Sequence, residues 1–135
     1  MKRTGCLLIA SLIAWGQDST WKDPSTGLIW TAVDSDAPVT FSQASYHCSH
    51  LELGGDRDWR LASIEELQHL FGGPADARGY HVVGPLKLTG WQWSSTLGKE
   101  KGEAWALDFG DGARASVVMG DSGLNRALCV RSAGR

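Results

Sequence analysis

The chain has 135 residues, with 13 Lys+Arg against 15 Asp+Glu, a formal charge of −2 and seven tryptophans. That length carries one domain, and the charge balance lacks the basic surplus that draws a protein to DNA, RNA or other polyanions. Nucleic acid is set aside as an expected partner.

Lys2 and Arg3 precede an apolar run from Cys6 to Trp15 that closes on Ala14-Trp15-Gly16, with small residues at the first and third positions. This is the three-part pattern of a secretory signal peptide, read as residues 1–16 with cleavage after Gly16. A run of that length spans only about half of a bilayer's hydrocarbon core as a helix, so no permanent membrane anchor is expected. Cys6 does not read as a lipid-attachment site, because Arg3-Thr4-Gly5 puts charge where the apolar stretch of such a signal belongs. The expected mature domain, residues 17–135, carries 11 Lys+Arg (13 less Lys2 and Arg3) against 15 Asp+Glu, a charge of −4. Its expected location is periplasmic or extracellular.

Export leaves only Cys48 and Cys129, and a pair of cysteines in an oxidising compartment is expected to join. A nucleophilic role for Cys48, flanked by His47 and His50, is the lesser reading, since a disulfide sulfur is no nucleophile.

Thr20-Trp21-Lys22 and Leu28-Ile29-Trp30-Thr31, separated by Asp23-Pro24-Ser25-Thr26-Gly27, predict a hairpin. Thr40-x-x-Gln43 has the form of a capping box, and the apolar recurrence after it predicts a helix over 41–53, stopped by Gly54-Gly55. A second box, Ser63-x-x-Glu66, opens a short amphipathic helix whose Ile64, Leu67, Leu70 and Phe71 share one face. Residues 74–91 read as loop. Strands follow at 92–96, 104–109, 115–119 and 126–131, with Trp105, Leu107 and Phe109 on one face and a tight turn at Gly110-Asp111-Gly112. This order predicts an α+β domain with two helices packed on a small, mostly antiparallel sheet.

Together, Trp21-Lys22-Asp23, Thr26-Gly27-Leu28-Ile29-Trp30, Gly54-Gly55, Asp58-Trp59-Arg60-Leu61, Trp93-Ser94-Ser95-Thr96 and Cys129-Val130-Arg131 occur in an order that resembles the Lcl C-terminal domain family. That domain closes collagen-like bacterial adhesins. The likeness covers nearly all of the mature chain, departing at Ala62 and Gln92, where the family usually has proline and an aromatic. It implies a C-type-lectin-like fold with long loops, in which a helix-one cysteine pairs with one on the last strand. It also implies ligand contact through the loops 97–103, 110–114 and 120–126. These carry Lys99, Lys101, Asp111, Arg114, Asp121, Asn125 and Arg126, beside Trp91 and Trp93 as stacking platforms. The expected partner is a glycan or a cell-envelope protein, with an oligomer as an option. Sulfated polysaccharides, bound by better-understood members, want clustered cations, whereas Lys99-Glu100-Lys101 is interrupted by acid.

No cofactor, metal site or catalytic group is expected. The calcium-binding loop motifs of true C-type lectins do not occur, and Asp34-Ser35-Asp36 reads first as solvated turn acids. His47 and His50 straddle the cysteine without a zinc motif. Glu65 and Glu66 diverge by about 100° on their helix and cannot work as an acid/base pair. Asp58 and Arg60 read as parts of a structural polar network. Two rival readings remain: a structural subunit of an envelope assembly, and an enzyme related to formylglycine-generating enzymes, whose reactive cysteines have no counterpart once Cys48 and Cys129 pair.

Overall fold

The computed structural model describes residues 19–133. The expected signal peptide and its cleavage point lie outside the described residues. The strands are β1 (Thr20–Lys22), β2 (Leu28–Thr31), β3 (Arg60–Leu61), β4 (Trp91–Leu97), β5 (Glu103–Leu107), β6 (Arg114–Val118), β7 (Asn125–Arg126) and β8 (Cys129–Ser132); the helices are α1 (Phe41–Ser49) and α2 (Ile64–Leu70). The domain is α+β, but it holds two four-stranded sheets where one was expected. Their orders are β1-β2-β8-β3 and β6-β5-β4-β7. All pairings are antiparallel except β4 with β7.

The expected strand over 126–131 divides between the sheets. Ala127 and Leu128 interrupt it, with Ala127 held from both sides: Ser35 N donates to its carbonyl at 2.9 Å and its own N–H donates to Ser35 Oγ at 3.0 Å. These two residues also enter different hydrophobic clusters, so the crossing is where the two cores meet.

Both capping boxes form. Thr40 Oγ1 accepts from Gln43 N at 3.3 Å while Gln43 Oε1 accepts from Thr40 N at 2.9 Å. Helix α1 ends at Ser49, shorter than expected, because His50 caps it and Leu51 and Leu53 reach the core from a turn. Gly54 and Gly55 occupy φ of +64° and +83° in that turn, a region open to glycine at no steric cost. Helix α2 buries Ile64, Leu67 and Leu70 against Trp30, Leu107 and Phe109, while α1 buries Ala44 and Cys48 against Trp59 and Trp93. Cys48 and Cys129 are bonded, with Cα atoms 5.4 Å apart. The bridge therefore ties α1 to β8.

The Asp58-Trp59-Arg60-Leu61 segment alternates as an extended chain does. Trp59 and Leu61 are buried, Asp58 accepts from Arg131 Nε at 2.6 Å, and Arg60 donates to Glu66 from both terminal nitrogens at 2.8 and 3.0 Å. Glu66 Oε1 also accepts from Ser63 N at 2.9 Å, so one carboxylate closes the helix cap and the ion pair together. The Arg60 hydrogen bond holds the Glu66 carboxyl below its ordinary range, and burial opposes this more weakly. The contribution is therefore complete above the ordinary carboxylate range and is lost as pH falls through the lowered value. Because the pair is partly solvated, Glu66→Gln is expected to cost only about 1 kcal/mol at neutral pH. The cost should shrink in acid, which urea titrations of both proteins from neutral to acid pH would test.

Asp34 organises the long segment before β4. It is 6% exposed, and its carboxylate accepts from Asp36 N and Thr89 Oγ1 on one oxygen and from Thr89 N and Gln92 Nε2 on the other, all at 2.7 to 2.9 Å. The reading of Asp34 as a solvated turn acid is thus corrected: four donors justify burying the charge. Residues 74–90 contain no helix or named strand, as expected, and this latch fixes their far end beside β4.

Candidate functional site

The turn 98–102 joins β4 to β5, and the turn 108–113 joins β5 to β6. Successive turns of an antiparallel meander lie at opposite ends of the sheet. Met119 N donates to Gly102 O at 2.9 Å, which sets the loop carrying Asp121 beside the turn carrying Lys99 and Lys101. Asp111 lies at the other end, where its Oδ1 accepts from Ala113 N at 2.9 Å and shapes the turn. The turn 108–113 therefore lies at the opposite end of the sheet from the loops 97–103 and 120–126.

Four of the expected site residues make contacts within the fold. Trp93 is 0% exposed, donates its indole N–H to Val39 O at 2.8 Å and meets Phe41 edge to face; it is core and offers no stacking face. Trp91 packs partly buried against the same cluster. Asn125 is buried on β7, with its N–H on Ser122 O and its carbonyl accepting from Val39 N. Arg126 spends its guanidinium on Asp36 O, Thr89 Oγ1 and Leu124 O. Gly90 makes room for this strap: a Cβ there would sit 2.8 Å from an Arg126 nitrogen and 2.5 Å from Leu124 O.

Lys99 and Arg114, from opposite ends of the sheet, meet over Trp105 in the middle of β5. The Arg114 guanidinium lies 4.7 Å from the indole centroid and the Lys99 ammonium 5.9 Å. Register places Trp105 opposite Ser116, with Arg114 and Val118 on the same face as both. Ser116 Oγ donates to Glu103 Oε1 at 2.6 Å and accepts from Lys99 N at 2.8 Å, fixing the backbone that carries Lys99. Gly98 is needed for that approach, since a Cβ there would fall 2.1 Å from Ser116 Oγ. The result is a half-buried indole flanked by two cations. Such a surface suits an anionic or hydroxyl-rich ligand, through charge-assisted hydrogen bonds and ring contact.

The family model for the Lcl C-terminal domain matches residues 19–131, from just before β1 into β8. The chain belongs to that family. No curated protein matches it. The Lcl-type segments noted above map onto support for the face: Trp93-Ser94-Ser95-Thr96 forms most of β4, where Ser94 Oγ donates to Trp105 O at 2.7 Å and holds the β5 backbone under the indole.

Trp105 itself escaped the sequence reading. Its alternation with Leu107 and Phe109 marks a core face, and it does pack on that cluster, yet nothing local signals that it stays only half-buried. A second feature lies in the 74–90 segment, where a cleft of about 220 Å³ is lined by Arg78, Val82, Pro85, Leu86 and Lys87 among others. Arg78 and Lys87 are exposed and form no ion pair among the described residues. Of the histidines, His50 stacks on Tyr46 at 3.8 Å and its Nδ1 lies 3.1 Å from Tyr46 O. Among the described residues no group of three or more His, Cys, Asp and Glu side chains is placed to hold a metal ion, and no helix is long and apolar enough to cross a membrane.

Proposed function

We propose that this Lcl-type domain is an exported, non-catalytic binding module of C-type-lectin-like fold that recognises a glycan or an envelope partner. The ligand-contacting face is centred on Trp105, Arg114 and Lys99. The observation that carries the reading is the convergence of two cations, one from the 98–102 turn and one from β6, on one half-buried indole. Aromatic and arginine side chains supply most of the binding energy in recognition surfaces, and sugars present both C–H faces for a ring and oxygens for cations. The Cys48–Cys129 bond is in keeping with an oxidising compartment, and with both sulfurs bonded the reactive cysteines of a formylglycine-generating kind of enzyme have no counterpart among the described residues.

The test is binding of the purified protein to a broad glycan panel, with calcium and with a chelator, at low and physiological salt. A saturable hit that survives physiological salt is expected, together with a loss of at least about tenfold in affinity for Arg114→Ala. Arg114 is exposed, so this change should leave the melting temperature within a few degrees of the parent. A glycan hit indifferent to Arg114 and Lys99 would move the site elsewhere, with the Arg78 and Lys87 cleft the next place to look. Absence of any hit would favour the envelope-assembly reading.

A further inference from the structure

We propose that β6 is a self-pairing edge through which two copies of the chain join their β6-β5-β4-β7 sheets, antiparallel and two-fold symmetric about Ser116. Met119 N donates to Gly102 O, and Ala113 O accepts from Asp108 N, so the odd-numbered residues of β6 point their backbone groups at β5. The N–H and C=O groups of Arg114, Ser116 and Val118 therefore point to the outer edge, where no strand lies among the described residues. Only the Val118 carbonyl has a further backbone partner there, the Asp121 N–H at 3.1 Å.

Natural sheets blunt such edges with very short strands, lysine, proline or a bulge. The other three sheet ends follow that rule: β1 has 3 residues including Lys22, and β3 and β7 have 2 each. Strand β6 has 5 residues, Arg-Ala-Ser-Val-Val, in unbroken register with β5, with no proline, lysine or bulge and a single charge, Arg114, at its first position. Its Val118 is 57% exposed.

The charge along the edge selects a second copy as the occupant. Arg114 stands at one end, while Glu103 lies beside Val118 at the other. Antiparallel pairing about Ser116 sets Arg114 of each copy opposite Val118 of the other, within roughly 10 Å of Glu103 across two strand spacings. No like charges are directly opposed within the paired strands. Each strand donates the N–H groups of Ser116 and Val118 to the carbonyls of Ser116 and Arg114 in its neighbour. Because Trp105 shares the face of Ser116, the pair presents two indoles on one side of a continuous sheet, roughly 14 Å apart. That spacing offers a repeating ligand two grips and the avidity a single domain lacks. The pairing itself stands independently of the ligand reading.

Sedimentation equilibrium of the exported, oxidised protein from about 10 µM to about 1 mM tests this, because an edge this short buries less than a standard interface and associates weakly. A reversible monomer–dimer equilibrium is expected. Val118→Lys places a cation opposite Arg114 of the other copy and should weaken it at least tenfold, whereas Val118→Glu creates two symmetric opposite-charge pairs and should tighten it roughly fivefold at low salt. Val118 is exposed, so both variants should fold. A strict monomer at about 1 mM overturns the proposal. Equal weakening by the two substitutions also overturns it, and would mark the edge as a place for a foreign strand.

Discussion

Replacing Cys48 and Cys129 together by alanine is expected to lower the unfolding free energy by about 4 kcal/mol. The bridge spans 81 residues of sequence, so in the chain-entropy account its removal frees a loop of most of the domain in the unfolded state, worth about 4–5 kcal/mol. Both sulfurs are buried in the cluster around Trp59 and Trp93, so the alanines also leave a small void there. A single domain of this size holds about 5–15 kcal/mol in total, and the double variant should sit near the edge of folding at 37 °C. Urea unfolding of the oxidised and variant proteins measures the difference directly. A loss below about 1 kcal/mol would show that packing of α1 on β3 and β4 holds the helix without the bridge. Reductant alone should act slowly on the native protein, because attack needs a thiolate to reach a buried sulfur.

Asp34→Ala carries the other large effect, at about 3 kcal/mol or more. It strips the acceptor from Thr89 N, Gln92 Nε2 and Asp36 N, and a buried donor left unpaired costs about 1–3 kcal/mol. Asp34→Asn should not rescue it. Either orientation of the amide sets its NH₂ against a backbone N–H, that of Asp36 on one side or of Thr89 on the other. The local signature would be rapid proteolysis in 74–90, since the far end of that segment is tied down through Thr89. A variant with parental stability and an uncut long segment would sink this account.

Both capping boxes, the hairpin, the loop up to residue 90 and the Cys48–Cys129 pairing were legible in the chain because each rests on local or compositional rules. A hydroxyl three residues before Gln or Glu satisfies orphan amides wherever it occurs, and two remaining cysteines have one way to pair. The division into two sheets was not legible. Asn125-Arg126 and Cys129-Val130-Arg131-Ser132 look like one strand, and only the clasp of Ala127 by Ser35, 92 positions away in sequence, separates them. The surroundings of the tryptophans were not legible either. Trp93 and Trp105 are the same residue type on adjacent strands, but Trp93 is fully buried in the cluster under α1 whereas Trp105 is half-buried against the other cluster.

The sequence by itself determined the family, the α+β class, the helix starts and the disulfide, all of which depend on neighbours a few residues apart or on a single available partner. Tertiary structure alone decided that Asp34 is a buried latch, that Arg126 is a strap and that Lys99 and Arg114 meet over Trp105. The reason is physical. A side chain's role follows from which donors, rings and charges surround it in space, and here those partners come from segments tens of residues away.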